Sequence, residues 1–175
     1  MQELSPSARK PVSDSLFNMW RCAIVMAHAD GVIHESEREF FDRVFKSMER
    51  VYALTEAHLK VFADDLKSPQ DVDGLLPRVT DAECKILLLH FCQIVAWVDG
   101  NLSPQELALL KKLHTNCNQD PGTAERVAQI REDIAEQIFR LKTEAEDRQG
   151  TRDPLFYAIS ALLQRLGVDM PADAA

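Results

Sequence analysis

Apolar residues recur along most of the chain at intervals of three and four positions, which is the spacing of one face of an α-helix. In the first such segment, Leu16, Trp20, Ile24 and Ala27 follow one another at spacings of four, four and three. Similar segments continue into the C-terminal region, and we find no convincing strand. The pattern therefore predicts an all-α protein, a compact helical bundle of about seven or eight helices.

Breakers and capping residues give the expected bounds of the first helices. The first helix is expected to begin near Ser13 or Asp14 and to stop at Asp30 and Gly31, because glycine readily adopts the left-handed conformation that closes helices. The second helix is expected over about residues 35–53, and Thr55 is expected to open a third.

Three further capping sequences lie downstream. Residues 68–71, Ser-Pro-Gln-Asp, suit the start of a short helix with the serine as its cap. Residues 80–83, Thr-Asp-Ala-Glu, form a capping box with Thr80 as the cap, and they precede the most apolar helix, over 82–98. Residues 103–106 form a second capping box, and the helix that it starts is expected to be lined by Leu107, Leu110 and Leu113.

The chain is expected to form a single domain, because 175 residues of which 46% are hydrophobic supply one sizeable core. The expected divisions are a flexible lead-in over 1–12, an all-helical domain over 13–166 and a tail over 167–175. Within the domain we expect repeat A at about 14–66, repeat B at about 80–118, and C-terminal helices at about 122–148 and 153–166.

An internal repeat is the most informative feature of the sequence. When residues 24–37 are shifted by 69 positions they fall on residues 93–106, and Ala, Asp, Gly, an aliphatic residue and Glu recur in register. Each copy predicts an apolar helix, an Asp-Gly stop, an inward Ile or Leu, and an amphipathic helix. Neither copy can bury its apolar face alone, so we expect the two to pack together about a pseudo-twofold axis.

The repeat places four carboxylates at equivalent positions, Asp30 and Glu37 in the first copy and Asp99 and Glu106 in the second. If the symmetry brings them together, their mutual repulsion favours a divalent cation. Oxygen ligands of this kind select calcium, magnesium or manganese. The alternative is that each Asp ends a helix and each Glu stabilises a first helical turn, with no metal and no other cofactor.

Two other ligand arrangements are less consistent with the sequence. The spacing of Asp, Gly, the aliphatic residue and Glu matches the second half of an EF-hand loop, but the first half would have to begin at Met26 or Val95, which cannot bind calcium. His28 and His34 are not repeated in the second copy, so we interpret them as exposed histidines at helix ends.

The motif Ala-x-Ala-Asp-Gly-x-Ile-x-x-x-Glu over 27–37, with its partner Ala-x-x-Asp-Gly-x-Leu-x-x-x-Glu over 96–106, resembles the duplicated signature of the TerB family of tellurite-resistance-associated proteins. The resemblance covers roughly residues 13–118 and also extends to the domain that precedes the J-domain of some membrane-anchored co-chaperones. It implies an all-helical, pseudo-symmetric bundle, acidic motif residues that are candidates for holding a metal ion, and a place in bacterial stress-response and membrane-associated complexes.

Composition and motifs narrow the function classes. With 20 basic and 28 acidic residues the formal net charge is −8, and no basic run is present, so nucleic-acid binding is not expected. No nucleophile elbow, phosphate-binding glycine loop or zinc-protease motif is present, so we expect a non-enzymatic protein. The longest stretch without Asp, Glu, Lys or Arg, 86–98, is too short for a transmembrane segment, and the N-terminal residues do not match a secretory signal. We expect a cytoplasmic protein with reduced, mostly buried cysteines.

Two functional hypotheses follow from these features. In the first, the chain is a TerB-like module that binds a divalent metal within a stress-response assembly. In the second, it is a metal-free adaptor that docks a protein partner through its acidic surface or its C-terminal helices. The apolar stripe of the long C-terminal helix, over 127–141, has near-heptad spacing, which also permits a homodimer.

Overall fold

The structure is a computed structural model, and it describes residues 8–28, 31, 33, 35–68, 70–99, 104–118, 125, 136, 139, 143 and 154–169. In this part of the chain there are seven α-helices and no strand, so the predicted all-α helical bundle is confirmed. The helices are α1 (Asp14–Ala27), α2 (Glu35–Met48), α3 (Glu56–Asp65), α4 (Val72–Leu75), α5 (Ala82–Asp99), α6 (Pro104–Asn118) and α7 (Pro154–Leu166), with a short 3-10 helix (Leu76–Arg78) after α4.

The chain divides into two compact units. Unit 1 comprises Met1–Val79 together with Leu163–Ala175, and unit 2 comprises Thr80–Leu162. Helices α1 to α4 therefore belong to unit 1 with the end of α7, whereas α5 and α6 belong to unit 2. The expected pseudo-twofold packing of the two repeats stays a prediction.

Helix α1 begins where its sequence predicts. The Ser13 hydroxyl accepts a hydrogen bond from the backbone N–H of Leu16 at 3.1 Å, which is the usual role of a serine cap, and Asp14 adds a negative charge in the first turn. Ten of its 14 residues are buried, and the four that are not, Asp14, Phe17, Arg21 and Val25, recur at spacings of three, four and four on one face. The helix therefore depends on neighbours that cover most of its circumference.

An aromatic cluster joins α1 to α2 and α3. The Trp20 ring meets Phe45 edge-on with the ring centroids 5.9 Å apart, and Phe45 stacks on Phe62 at 4.3 Å. Phe17 lies 5.0 Å from Phe62 on the other side. The edge-on contact of Trp20 with Phe45 is an arrangement that aromatic pairs prefer, and the cluster as a whole links the three helices through their side chains.

A buried ion pair forms a second contact between α1 and α3. The Arg21 guanidinium donates two hydrogen bonds to the Asp65 carboxylate, from Nε at 2.6 Å and from Nη2 at 3.1 Å, with side-chain exposures of only 16% and 3%. Arg21 also lies over the Phe17 ring at 5.8 Å, and the ring of His28 contacts the Asp65 carbonyl at 2.9 Å. The pair therefore neutralises the charge of Arg21 and attaches the C-terminal half of α1 to the end of α3.

The second helix ends earlier than expected. The predicted end at residue 53 is wrong, because α2 stops at Met48. The backbone N–H of Lys10 donates to the Val51 carbonyl and the N–H of Ala53 donates to the Lys10 carbonyl, each at 2.8 Å. These bonds form an isolated β-bridge between Lys10 and Tyr52, which holds residues 51–53 out of a helical conformation.

Two predicted caps are displaced along the sequence. Helix α4 is capped by Asp71, whose carboxylate accepts the N–H of Asp73 at 3.0 Å, and not by the serine at position 68. Helix α5 is capped by Asp81, whose Oδ1 accepts the N–H groups of Glu83 at 2.8 Å and Cys84 at 3.2 Å, and not by Thr80. Each helix begins directly after its aspartate, so the aspartate and not the earlier hydroxyl occupies the capping position.

Helix α6 buries a different set of leucines from the expected one. Leu110 and Leu113 are buried as predicted, and so is Leu109, but Leu107 is 41% exposed. The expected long helix over 122–148 falls almost entirely outside the described residues.

The end of α7 is part of unit 1. Gly167 has φ +71°, its N–H donates to the Gln164 carbonyl at 3.1 Å, and the N–H of Val168 donates to the Leu163 carbonyl at 2.9 Å. This is a Schellman motif, in which glycine is required for the left-handed turn. The Tyr52 hydroxyl donates to the Leu166 carbonyl at 3.3 Å, so the segment that links α2 and α3 is bonded to the C-terminal helix.

Asp65→Ala is expected to lower the free energy of unfolding by about 3 kcal/mol, because it leaves a largely buried guanidinium without its carboxylate. Urea unfolding followed by circular dichroism measures the change. The neighbouring Asp64→Ala is the matched control, since Asp64 and Lys67 form an ion pair with exposures of 59% and 68%. The control is expected to change stability by about 0.5 kcal/mol or less. Equal losses for the two variants would contradict this account of the pair.

Candidate functional site

The first Asp-Gly corner connects α1 to α2. Helix α1 ends at Ala27, and the N–H of Gly31 donates to the His28 carbonyl at 2.9 Å. Gly31 has φ +112°, a conformation that other residues rarely adopt, so the glycine of the motif is explained by the backbone. Ile33 is fully buried, which confirms the predicted inward aliphatic residue of this copy, and α2 begins at Glu35.

Of the four candidate carboxylates, the structure gives a backbone position for three. Asp30 lies outside the described residues. Asp99 is the last residue of α5, whereas Glu37 and Glu106 are each the third residue of their helix, in α2 and α6. The side chains of these three also lie outside the described residues, so the metal-ligand set stays a prediction.

The two copies have corresponding helix bounds under the 69-residue offset. Glu35, the first residue of α2, falls on Pro104, the first residue of α6. The ends of these helices, Met48 and Asn118, differ by one residue from exact correspondence. The copies differ at the corner itself, because α1 ends at Ala27 whereas α5 continues through Asp99.

The corresponding helix starts have an electrostatic consequence. The first turn of a helix has unpaired backbone N–H groups and the positive end of the helix dipole. The positions of Glu37 and Glu106 in their helices are therefore consistent with a first-turn role as well as with a metal ligand.

The described histidines of unit 1 have structural partners. His28 is half-buried against the Asp65 carbonyl, so its expected exposure is wrong. His58 completes a capping box at the start of α3, in which its Nδ1 accepts the N–H of Thr55 at 3.2 Å and its own N–H donates to the Thr55 hydroxyl at 3.3 Å. Among the described residues, no group of three or more His, Cys, Asp or Glu side chains is placed to hold a metal ion.

Cys22 is unsuited to nucleophilic chemistry at neutral pH. Burial raises the pKa of its thiol to about 12, the Arg21 guanidinium opposes that rise, and the Asp65 carboxylate adds to it. The reactive form of cysteine is the thiolate, so this thiol is inert near pH 7. Cys84 and Cys92 are likewise buried and carry no disulfide, as expected for reduced cysteines.

The sequence analysis missed the Arg21–Asp65 pair, although a signal was present. Arg21 lies within a helix whose other residues are largely apolar, and Asp65 lies next to the buried Leu66 near the end of α3. A charged residue in such a position requires a partner of opposite charge. The partner is 44 residues away in sequence, so the pattern of a single helix could not identify it.

A family model described as tellurite resistance protein TerB matches residues 18–129, which include both Asp-Gly corners and most of both repeats. The chain belongs to the TerB family. This confirms the resemblance that the doubled motif indicated. Searches of curated proteins and of solved structures found no significant match to the chain.

Gly31→Ala is expected to lower the free energy of unfolding by about 1–2 kcal/mol, because alanine is strained at the left-handed backbone of this TerB corner. Gly74→Ala is the matched control. Gly74 lies in α4 without a positive φ, and a new methyl group there would meet no atom within 4 Å. That variant is expected to be neutral or more stable by about 0.5 kcal/mol. Thermal unfolding of both variants measures these changes, and a Gly31→Ala protein as stable as the wild type would contradict the left-handed conformation at Gly31.

Proposed function

We propose that this TerB-family chain is a non-enzymatic module that binds a divalent cation through Asp30, Glu37, Asp99 and Glu106. The observation that carries the proposal is the equivalence of the helix starts that follow the two corners. The second helix of each copy begins at the same position of the repeat, so each glutamate occupies the same place in its helix. The termination of two helices and the stabilisation of two first turns do not by themselves require all four carboxylates to recur, so their repetition favours a shared ligand.

The spacing of the glutamates also favours a buried role. Glu37 precedes Phe41 by four residues and Val44 by seven, which is the spacing of one helix face, and both apolar residues are buried. Glu106 has the same relation to Leu110 and Leu113. A carboxylate on the apolar side of a helix needs a cation or a hydrogen-bond donor, and carboxylate oxygens prefer calcium, magnesium or manganese.

The family gives the proposal its context. The family model is described by tellurite resistance, and we infer that the chain acts in a bacterial stress-response assembly, in contact with a membrane-associated complex and within the cytoplasm. In the described part of the chain, no helix is both long and apolar enough to cross a bilayer. A cation bound at the two corners would stabilise one relative orientation of their helices and so make the module responsive to metal.

Addition of calcium, magnesium or manganese to the chelator-treated protein is expected to shift the backbone amide resonances of residues 30–37 and 99–106. Nuclear magnetic resonance of the isotope-labelled chain measures these shifts. The Asp30→Asn/Asp99→Asn variant is expected to lose the response, because an amide is a neutral and weaker ligand for these cations.

Glu56→Gln is the matched control for that experiment. Glu56 is an exposed carboxylate in the first turn of α3, outside the repeated motif, so its loss should leave the metal response intact. An absence of shifts at both corners, or shifts that survive in the double Asn variant, would reject the cation site.

A second candidate function, a metal-free adaptor, is favoured by one exposed side chain. Phe139 lies in a helical part of the chain beyond α6 with 74% of its surface exposed. A large aromatic ring in that position is suited to docking a protein partner.

Phe139→Ser is expected to abolish capture of that partner, because serine removes the apolar contact area. Quantitative affinity capture compares the wild-type chain with this variant and with Glu136→Gln, an exposed control in the same segment. A point substitution is preferable to deletion of the C-terminal region, since deletion would also remove the buried Leu163 and Leu166 of unit 1. Identical partners for all three proteins would exclude Phe139 from docking.

A further inference from the structure

The side chain of His28 joins the end of α1 to the end of α3. Its Nε2 lies 2.9 Å from the backbone carbonyl oxygen of Asp65, which is the last residue of α3. A carbonyl oxygen only accepts, so the ring nitrogen donates this hydrogen bond. The last carbonyls of a helix have no partner within the helix, and His28 supplies one for α3 from outside it.

Asp65 bonds to α1 at two points. Its carboxylate accepts two hydrogen bonds from Arg21, and its carbonyl accepts the one from His28. Arg21 and His28 are seven positions apart, which places them on the same side of α1. A single residue of α3 is therefore attached to α1 in its middle and directly after its last residue.

The backbone of His28 takes part in the turn that follows α1. Its N–H donates to the Ile24 carbonyl at 3.2 Å and to the Val25 carbonyl at 3.1 Å, so it closes the last helical turn. Its own carbonyl accepts the N–H of Gly31 at 2.9 Å. His28 thus links three elements, with its backbone joined to α1 and to the turn and its side chain joined to α3.

The second copy of the repeat has a tryptophan, Trp97, where the first has His28. Both copies have the Asp-Gly pair at the same position of the repeat. Even so, α1 ends at Ala27, whereas α5 continues through Asp99, three residues beyond the position equivalent to Ala27. The Asp-Gly pair alone therefore does not set where the helix ends, and the contact of His28 with α3 is a feature of the copy whose helix is shorter.

We propose that His28 is a positioning residue of the first Asp-Gly corner. Its hydrogen bond to α3 ends α1 at Ala27 and holds the turn to Gly31 in one conformation before any ligand binds. The consequence for a cation rests on the proposed function: a corner that is already formed does not have to be ordered in the binding step, which favours affinity. His28 acts through the backbone and is not itself a ligand.

Two substitutions separate the hydrogen bond from helix propensity. His28→Ala removes the donor, whereas His28→Gln keeps an N–H donor at the same number of bonds from the backbone. Alanine and glutamine are both good helix formers, so a longer helix in His28→Ala alone would come from the lost bond. Backbone carbon chemical shifts of the labelled, metal-free chain measure the end of α1. Helical shifts are expected to end at Ala27 in the wild type and His28→Gln, and to continue for as many as three further residues in His28→Ala, as they do in α5.

Hydrogen exchange of the Gly31 amide measures the turn, because this N–H donates to the His28 carbonyl. In the metal-free chain the amide is expected to exchange at least about tenfold faster in His28→Ala than in the wild type or His28→Gln. Ser13→Ala is the matched control, since it removes the cap at the other end of α1. It is expected to lower the thermal midpoint as much as His28→Ala does, by about 2–4 °C, without changing exchange at Gly31.

Titration with manganese, followed by paramagnetic broadening of the amide resonances, measures the consequence for a cation. The dissociation constant is expected to be about tenfold larger for His28→Ala than for the wild type, His28→Gln and Ser13→Ala. A wild-type chain that binds no manganese would reject the proposed cation site. The carbon shifts and the Gly31 exchange rate of the metal-free chain would still decide the role of His28 at the corner.

Three results would overturn the positioning role. The first is a metal-free His28→Ala chain with the helix end and the Gly31 exchange rate of the wild type. The second is an equal loss of manganese affinity in His28→Ala and His28→Gln, which would make the imidazole ring a ligand. The third is an equal change at Gly31 in Ser13→Ala, which would trace the effect to a general loss of stability.

Discussion

The organisation of unit 1 depends on the burial of α1. Ten of the 14 residues of this helix are buried, so most of its circumference must be covered by other elements. Each fully buried large side chain, such as Trp20 or Ile24, contributes about 1.5–3 kcal/mol relative to exposure. The neighbouring elements provide the cover: α2 and α3 through Phe45 and Phe62, and α4 with the 3-10 helix on a further side.

Burial of most of α1 limits the charged residues that it can carry. Arg21 is acceptable because its guanidinium donates to both oxygens of the Asp65 carboxylate and lies over the Phe17 ring. A buried pair of this kind adds little net stability compared with apolar residues, but it requires one alignment of its two helices. Arg21 lies nearly two turns before Ala27, the last residue of α1, and His28, directly after Ala27, also contacts Asp65. The start of the first Asp-Gly corner is therefore attached to α3.

The sequence was sufficient for the features that depend on local pattern. Helical periodicity identified the helices, α1 and α3 begin where they were expected near Asp14 and Thr55, and the glycine at position 31 has the positive φ that its motif requires. The doubled motif also led to the family that the family model supports. These successes share one cause: the information lies within a few residues of the feature.

The features that the sequence analysis predicted wrongly or missed depend on contacts between distant residues or on a choice between two neighbouring residues. The end of α2 is set by backbone bonds to Lys10, far away in sequence, and the Arg21–Asp65 pair joins residues on different helices. At the start of α5 two adjacent residues are able to cap the helix, and the structure has the carboxylate of Asp81 as the cap and not the hydroxyl of Thr80. For the candidate site, the sequence supplies the four carboxylates and the structure supplies the start of each following helix, but the side chains lie outside the described residues.

The two copies of the repeat agree where packing restricts them and differ where it does not. Under the 69-residue offset the buried Phe40, Phe41 and Val44 fall on the buried Leu109, Leu110 and Leu113. At exposed positions the residue type is not kept, since Glu39 falls on Ala108 and Asp42 falls on Lys111. Mutual packing restricts what an apolar side can become, but it places no such restriction on a solvated surface. The recurrence of a glutamate at positions 37 and 106, while other charged positions have changed, therefore favours a shared role for the two copies of the motif.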